Sequence, residues 1–580
     1  MAPAPLRQTL TQASRRTGTL AFAQKNALRS TCQAASFSMY KKPFFDNEDA
    51  KSYAKGSPER TELTEAIKSL KATLPVNVPL NIAGKEVTPD AIQTQPNPSD
   101  HQTTIANYGA ASAAQVNDAI EAALKAKPTW ENLPLEQRAS VFHRAAELVS
   151  TKYRADLVAA SMLGQGKNIW QAEIDIVAET CDLLRFAVQC ALDLAATQPA
   201  KHPPGMWNRV EYRPLEGFVY AVSPFNFTAL GANLIGIPLL MGNAVIWKPS
   251  NSAVHSCWLV HKILLEAGLP EGVVQFVPGD AELITKTVLE HPEFAALHFT
   301  GSTDVFKKLY GKIGQATAEN KFKSYPRIIG ETGGKNFHLI HKSAEIDNAV
   351  YNTVRGGFEY QGQKCSAPSR VYVAESIWPT FKEKLLAETA KVKTGAPEEY
   401  DNFVNAVIHE ASFDKLNAVI EKAKSDDKVT LLAGGKASKE KGYFVEPTIY
   451  QTSDPQHELM TRELFGPILT IYVYPDAEWA ETIKLVDNTT SYGLAGSVFA
   501  QDQVAIHQAE VGLKHSAGNF YINTKSTGSV VAQQPFGGNR GSGTNDKVGS
   551  VNLLTRFASV RSVKDDYAPL KGFKYPSNEV

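Results

Sequence analysis

The stretch Phe218-Val219-Tyr220-Ala221-Val222-Ser223-Pro224-Phe225-Asn226 decides the fold. Five apolar residues run without a charge and stop at Ser-Pro, as a short strand buried on both faces does. Thr228 to Leu240 reads as a helix, and Asn243-Ala244-Val245-Ile246-Trp247 as a second buried strand. Ser252 caps a further helix, with Cys257, Val260, Ile263 and Leu264 on one face and Gly268 and Pro270 at its stop. Val273 to Val277 and Ala296 to Phe299 add two strands around a helical Ala281 to Leu289. Strands alternating with helices in this way form a parallel sheet covered by helices, an α/β fold. Ligands of such sheets bind beyond the carboxyl ends of the strands. Those ends are Ser223-Pro224-Phe225-Asn226, Lys248-Pro249-Ser250, Pro278-Gly279 and Thr300-Gly301-Ser302. No GxGxxG fingerprint occurs in these turns. Gly301-Ser302-Thr303 nevertheless opens a helix, whose free N–H groups and dipole favour a phosphate.

Upstream, Ser57-Pro58-Glu59 pairs an N-cap with proline at the first helical position and predicts a helix to about Ala72. Residues 113–127, 135–153 and 167–195 carry Ala and Leu at helical spacing. The first 45 residues differ from the rest. They hold Arg7, Arg15, Arg16, Lys25, Arg29, Lys41 and Lys42 and no acidic side chain before Asp46. A basic, Ser- and Ala-rich leader without a long apolar core is the pattern of a mitochondrial transit peptide, expected over residues 1–40, and points to the matrix.

The chain has 580 residues, enough for two or three domains with cores of their own. Its 60 basic and 60 acidic side chains cancel, so no global basic field argues for nucleic acid. The longest apolar segment, Leu234 to Leu240, is interrupted by Gly236 and Pro238 and is too short for a membrane span. Cys32, Cys181, Cys190, Cys257 and Cys365 show no paired spacing, which argues against a disulfide framework or a zinc site; no metal is expected.

One of these cysteines stands in a setting of its own. Cys365 follows Tyr360-Gln361-Gly362-Gln363-Lys364 and precedes Ser366-Ala367-Pro368. A glycine-bearing approach with a lysine beside the sulfur predicts a thiolate nucleophile. Glu331, in Gly330-Glu331-Thr332-Gly333-Gly334-Lys335-Asn336, supplies a carboxylate suited to general-base work.

These peptides occur in a fixed order. SPFNF with Asn226, WKPS with Lys248, FTGS with Gly301 and Ser302, and GETGGKN with Glu331 come first. GQKCSA with Cys365, ELFGP with Glu463 and Phe465, NFYIN and QQPFGG follow. In that order and spacing, the chain from about residue 60 to 568 resembles the aldehyde dehydrogenases. The resemblance implies two Rossmann-like α/β domains, one binding NAD and one catalytic, with a small β-strand oligomerisation arm. It implies that Cys365 adds to an aldehyde, that the Asn226 amide and the Cys365 N–H hold the oxyanion, and that Glu331 activates the hydrolytic water. Lys248 and Glu463 are assigned to ribose hydroxyls, and Ser223, Gly301, Ser302 and Phe465 to the cofactor surroundings. The loop after Lys248 carries Ser250 and Asn251 and no acid to reject a 2′-phosphate, so NAD is taken from the resemblance alone.

Within the family, Lys364 and Ser366 around the nucleophile and Lys525-Ser526-Thr527-Gly528-Ser529 before QQPFGG resemble the branch that oxidises glutamate γ-semialdehyde to glutamate in proline catabolism. The implied substrate carries an α-carboxylate and an α-ammonium. Gly528 and Ser529 are assigned to the carboxylate, Lys364 and Ser366 lie nearby, and Phe227 and Phe536 form aromatic walls. Glu173, in Gln171-Ala172-Glu173-Ile174-Asp175, is expected to face the ammonium or Lys364. The alternatives are another carboxylated semialdehyde, or a CoA-acylating relative, which the intact Glu331 disfavours. The implied domains are 46–330 for the cofactor, interrupted by an oligomerisation hairpin at 200–217, and 331–525 for catalysis. Residues 526–580 complete the chain with a substrate-anchor loop and a C-terminal strand. A homodimer or an assembly of dimers is expected.

Overall fold

The sheet nucleated by Phe218–Val222 contains seven strands in the order Arg327–Glu331, Phe294–Thr300, Phe218–Val222, Ala244–Lys248, Val274–Phe276, Leu80–Ile82 and Lys85–Val87. The first five run parallel, and the last two are antiparallel additions at one edge. Alternate residues of its central strands point to opposite faces, as the pleat demands. Val219, Ala221, Val245 and Trp247 enter one apolar cluster, and Phe218, Tyr220, Ala244 and Ile246 the other. This is why the strands read as continuous apolar runs with no polar alternation. From Phe218–Val222 the chain moves outward to Ala244–Lys248 and Val274–Phe276, then returns to the other side of its first strand with Phe294–Thr300. The strand order reverses there, and the crevice beyond the ends of these two strands is where a ligand fits.

A second seven-stranded sheet follows, ordered Val429–Ala433, Thr448–Thr452, Ile468–Tyr474, Pro368–Ala374, Asn336–Ile340, Ala495–Phe499 and Asn519–Ile522. Only its first strand is antiparallel to its neighbour. The chain leaves the first sheet at Glu331 and enters the second at Asn336. The short link between them therefore carries the glycine-rich part of the Glu331 motif.

The computed structural model describes residues 45–89 and 91–579. Within it, Asp46–Val580 is one compact unit. The transit peptide expected over residues 1–40 lies outside the described residues. Helix Pro58–Thr73 has Ser57 as its N-cap, accepting a hydrogen bond from Arg60 N. The helix expected over 135–153 ends at Ser150, and a separate helix Arg154–Gln165 follows. Ten of its twelve residues are buried, so it lacks the polar stripe on which periodicity depends. The span read as one helix over 167–195 is three elements: Ile169–Ala172, a π-helical Glu173–Glu179, and Thr180–Ala196.

Residues 200–217 do not form a hairpin among themselves. Met206–Pro214 is a single strand, paired antiparallel along its whole length with the C-terminal strand Ala558–Asp566. The alternation of Trp207, Val210 and Tyr212 is a strand signal, but it carries no information on the partner, which lies some 350 residues away. Just before that strand, Leu553, Leu554 and Phe557 pack into the core of the first sheet, so this part of the tail belongs with that sheet. No helix among the described residues is long and apolar enough to cross a membrane.

Candidate active site

Cys365 follows a turn that only a constrained backbone makes. Tyr360, Gln361 and Gly362 all adopt left-handed conformations, with φ of 51°, 54° and 64°. Two of them are not glycine, so the turn is strained and needs its surroundings to hold it. Gln361 supplies the hold: its Nε2 donates to Gly166 O and Ala406 O at 2.8 Å each, and its Oε1 accepts from Asn405 N at 3.0 Å. Gly362 is required for space as well, because a Cβ there would run into the carbonyls of Gly466 and Gly357. Gly362→Ala is therefore expected to lower stability by about 1–3 kcal/mol from backbone strain alone, with the clash adding to it. A melting midpoint equal to wild type would contradict this. After the turn, Asn336 Nδ2 donates to Cys365 O at 2.6 Å and Ala367 O at 2.9 Å, fixing the backbone that carries the thiol.

The Cys365 thiol donates to Glu331 Oε1 at 3.7 Å. Burial pushes the Glu331 carboxyl up to about 7, against smaller lowering effects of the thiol and of Lys547. The Cys365 thiol itself is pushed well above its ordinary value, by burial first and then by the carboxylates of Glu331 and Glu463. The expectation of a thiolate maintained by Lys364 is thus corrected. Lys364 Nζ lies 3.0 Å from Glu359, which it shares with Lys525 Nζ at 3.2 Å. Neighbours in sequence need not be neighbours in charge: the lysine is paired with Glu359, while the sulfur faces a carboxyl. The acceptor that the thiol proton faces is the Glu331 carboxyl.

Asn226 stands in the loop between strand Phe218–Val222 and helix Thr228–Leu240, buried, with Nδ2 donating to Gln363 O at 3.1 Å. Asp175 fixes this loop. Its carboxylate accepts from Thr228 N at 3.1 Å and Ala229 N at 3.0 Å, capping the helix where the dipole favours negative charge. Asp175 is in turn paired with the wholly buried Lys167, whose ammonium lies 5.0 Å from the Phe227 ring centre and 4.8 Å from that of Tyr360.

Two cavities meet at the sulfur. One, of about 330 Å³, is lined by Phe227, Lys364, Ser366, Gly528, Ser529 and Phe536 together with Cys365, so six expected substrate residues come together. Glu173 does not join them. It is fully buried and accepts from Tyr53 OH at 2.8 Å, Lys51 N at 2.9 Å and the Arg154 guanidinium. Three acids line this wall, Glu48, Glu179 and Asp182. Glu48 is held by Arg154 and Arg185, while burial and then Asp175 push the Glu179 carboxyl up to about 8. Glu173 and Glu179 are the two ends of one π-helical segment, Glu173–Glu179. Lys525, the first residue of the motif that carries Gly528 and Ser529, also lines this cavity, as do Asn47 and Asp182, which no motif marks.

The other cavity, of about 370 Å³, opens at the point where the first sheet reverses its strand order. Ser223, Asn226, Gly301, Ser302, Glu463 and Phe465 line it with Cys365. Ser302 caps helix Thr303–Ala318 there, accepting from Val305 N at 3.2 Å. Glu463 Oε1 accepts from Gly334 N at 2.7 Å, and burial raises its carboxyl. Ser223 is on the wall, but its hydroxyl already accepts from Trp247 Nε1 at 3.0 Å. Lys248, at the end of strand Ala244–Lys248, is buried and is not among the lining residues, with Nζ 3.3 Å from Asn251 Oδ1; burial pulls its ammonium down to about 8. Lys415 is a wall residue that sequence reasoning did not single out. Among the described residues no group of three His, Cys, Asp or Glu side chains is arranged to hold a metal ion.

Comparison with known proteins places this site in context. The family model described as "Aldehyde dehydrogenase family" matches residues 87–563. A curated protein of Emericella nidulans, "Delta-1-pyrroline-5-carboxylate dehydrogenase, mitochondrial", is 59% identical over 553 residues, covering 95% of this chain and 96% of that one. The human protein of the same name is 46% identical over 530 residues, covering 91% and 93%. The crystal structure of the Delta-pyrroline-5-carboxylate dehydrogenase from Mycobacterium tuberculosis bound with NAD superposes with a TM-score of 0.89 at 42% identity. It covers 94% of this chain and all of that one.

Proposed function

The chain belongs to the aldehyde dehydrogenase family, and on that premise we propose that it oxidises L-glutamate γ-semialdehyde, the open form of Δ1-pyrroline-5-carboxylate, to L-glutamate with NAD. One observation carries this reading: a single thiol lines both a crevice at the sheet's reversal point and a cavity walled by lysines, aromatic rings and a Gly-Ser turn. The names of the Emericella nidulans and human relatives support it.

The crevice suits the cofactor. Lys248 has donor capacity beyond its bond to Asn251, and Glu463 keeps acceptor capacity beyond its bond to Gly334, so both can meet ribose hydroxyls. The N-terminus of helix Thr303–Ala318 can meet a phosphate. Bound NAD supplies the hydride acceptor. The rest is work for this chain's own groups. Glu331 takes the proton of Cys365, and the sulfur adds to the aldehyde carbon. The Asn226 amide and the Cys365 N–H donate to the oxygen as it becomes negative. Loss of hydride from that carbon leaves a thioester on Cys365. Glu331, relieved of its proton, then deprotonates a water that attacks the thioester; the carbon–sulfur bond breaks and the acid leaves.

At the far end of the cavity, Gly528 N–H and Ser529 hold the α-carboxylate, with Lys364 and Lys525 adding positive charge. Glu179, in place of Glu173, faces the α-ammonium. We read the ribbon of Met206–Pro214 and Ala558–Asp566 as the contact of a homodimer or an assembly of dimers. Its two-stranded edges are open, and Trp207 and Val560 on it are half exposed. The protein acts in the mitochondrion, and we place it in the matrix. The leader composition and the relatives named mitochondrial support this.

The test is to incubate the purified protein with Δ1-pyrroline-5-carboxylate and NAD and follow NADH. Production of NADH and glutamate without CoA is expected. No NADH would overturn the reading, and NADH only with CoA would replace it with an acylating one.

A further inference from the structure

The substrate cavity is closed on one side by a segment that no motif marks. Asn47, Glu48 and Ala50 line it, opposite the turn that carries Gly528 and Ser529. Asn47 bridges the two sides. Its Nδ2 donates to Asp182 Oδ2 at 2.8 Å, on helix Thr180–Ala196, and to Val531 O at 2.9 Å, in the turn. Its Oδ1 accepts from Gln533 Nε2 at 2.9 Å. One side-chain amide thus ties a helix on one wall to the turn on the other.

The two sides of this arrangement depend on the tie unequally. The segment is itself firmly seated: Glu48 N donates to Asp182 Oδ1 at 2.7 Å, Arg154 and Arg185 hold the Glu48 carboxylate at 2.9 Å and 2.7 Å, and Lys51 N donates to Glu173. Glu173 serves this anchorage, which explains why it is buried away from the cavity. The turn is the softer partner. Val530, Ala532, Gln533 and Gln534 are exposed, and Val530 N and O bond only within the turn, to Gln534 and Gln533. Ala532 sits in the left-handed region, φ 66°, where an alanine remains only if its neighbours hold it. Asn47 grips the residue on either side of it, Val531 and Gln533.

We infer that Asn47 is a positioning residue that holds the Gly528–Gln534 turn in the conformation that grips the carboxylate end of the substrate. The inference rests on the functional reading above. An untethered turn can relax the strain at Ala532, and the Gly528 and Ser529 donors then lose their aim at the carboxylate. The aldehyde end, held by Cys365, Asn226 and Glu331, does not depend on this tie.

The test compares kcat/KM for glutamate γ-semialdehyde with that for butanal, an aldehyde of the same reach that lacks the carboxylate and ammonium. In Asn47→Ala the ratio is expected to fall about tenfold, through KM for the semialdehyde, because two hydrogen bonds to one strained turn are lost together with the bond that ties Asn47 to Asp182. In Gln533→Ala, an exposed position whose loss spares Asp182, it falls about threefold. A general loss of structure lowers both substrates together and leaves the ratio in place. A wild-type ratio in Gln533→Ala and in a folded Asn47→Ala overturns the inference while the functional reading stands. A wild-type enzyme with no preference for the semialdehyde over butanal overturns both.

Discussion

Cys365→Ala loses NADH production from the semialdehyde by a factor on the order of 10⁴ or more, while NAD still binds. The size of the effect follows from the surroundings of the sulfur. Among the described residues it is the one thiol on the lining of either cavity, and Cys181 and Cys257 are buried elsewhere in the core. Among the described residues Cys365 is the one side chain that lines both cavities. The cofactor crevice keeps the rest of its wall in the variant, so titration of NAD by quenching of tryptophan fluorescence separates binding from chemistry. Residual turnover above about one per cent of wild type would remove covalent catalysis through Cys365.

Glu331→Gln keeps the shape of the site and removes its base, and kcat is expected to fall by roughly 10²–10⁴. The variant accumulates acyl-enzyme, because a thioester that forms has no group to activate water. Rapid mixing then shows whatever NADH the first turnover yields and a stalled steady state. The pH dependence carries the same assignment. The base must be ionised, and burial holds its carboxyl at about 7. Wild-type kcat/KM therefore rises with pH through about 7, and that limb is missing in Glu331→Gln. A wild-type profile that is flat between pH 6 and 8 would contradict the assignment. The stability consequence has the opposite sign. A carboxyl raised on folding binds its proton more tightly in the folded state, so its contribution to stability falls as pH rises between about 4.5 and about 7. Above that window Glu331→Gln is expected to melt higher than wild type. The most damaging change to hydrolysis is thus a stabilising one, since the site keeps an acid where folding alone favours a neutral group.

Much of this site is legible in the chain because its residues sit at punctuation. Ser223, Asn226, Gly301 and Glu331 stand where apolar strand runs stop, and in a parallel sheet those stops fall on one edge. What escaped is equally specific. Helix Arg154–Gln165 is buried on nearly all sides and shows no stripe. Glu173 is spent on Tyr53, Lys51 and Arg154, and Glu179, which no motif marks, lines the cavity from the other end of the π-helical turn. Asn47 carries no motif at all, and its partners Asp182, Val531 and Gln533 lie 135 to 486 residues away.

The sequence by itself determined the alternation of strands and helices and, through the order of its motifs, the family from which the roles of Cys365, Glu331 and Asn226 and the class of substrate are proposed. These depend on residue type and short spacing, which local sterics and hydrophobic burial translate into structure directly. Only the tertiary structure decided the state of the groups. It paired Lys364 with Glu359 and not with the thiol, raised Cys365 and Glu331 together, spent Glu173 on anchoring a segment, and matched Met206–Pro214 with the far end of the chain. The reason is common to all four. Charge, burial and strand pairing are set by what is near in space, and in a chain of this length the decisive neighbour is seldom near in sequence.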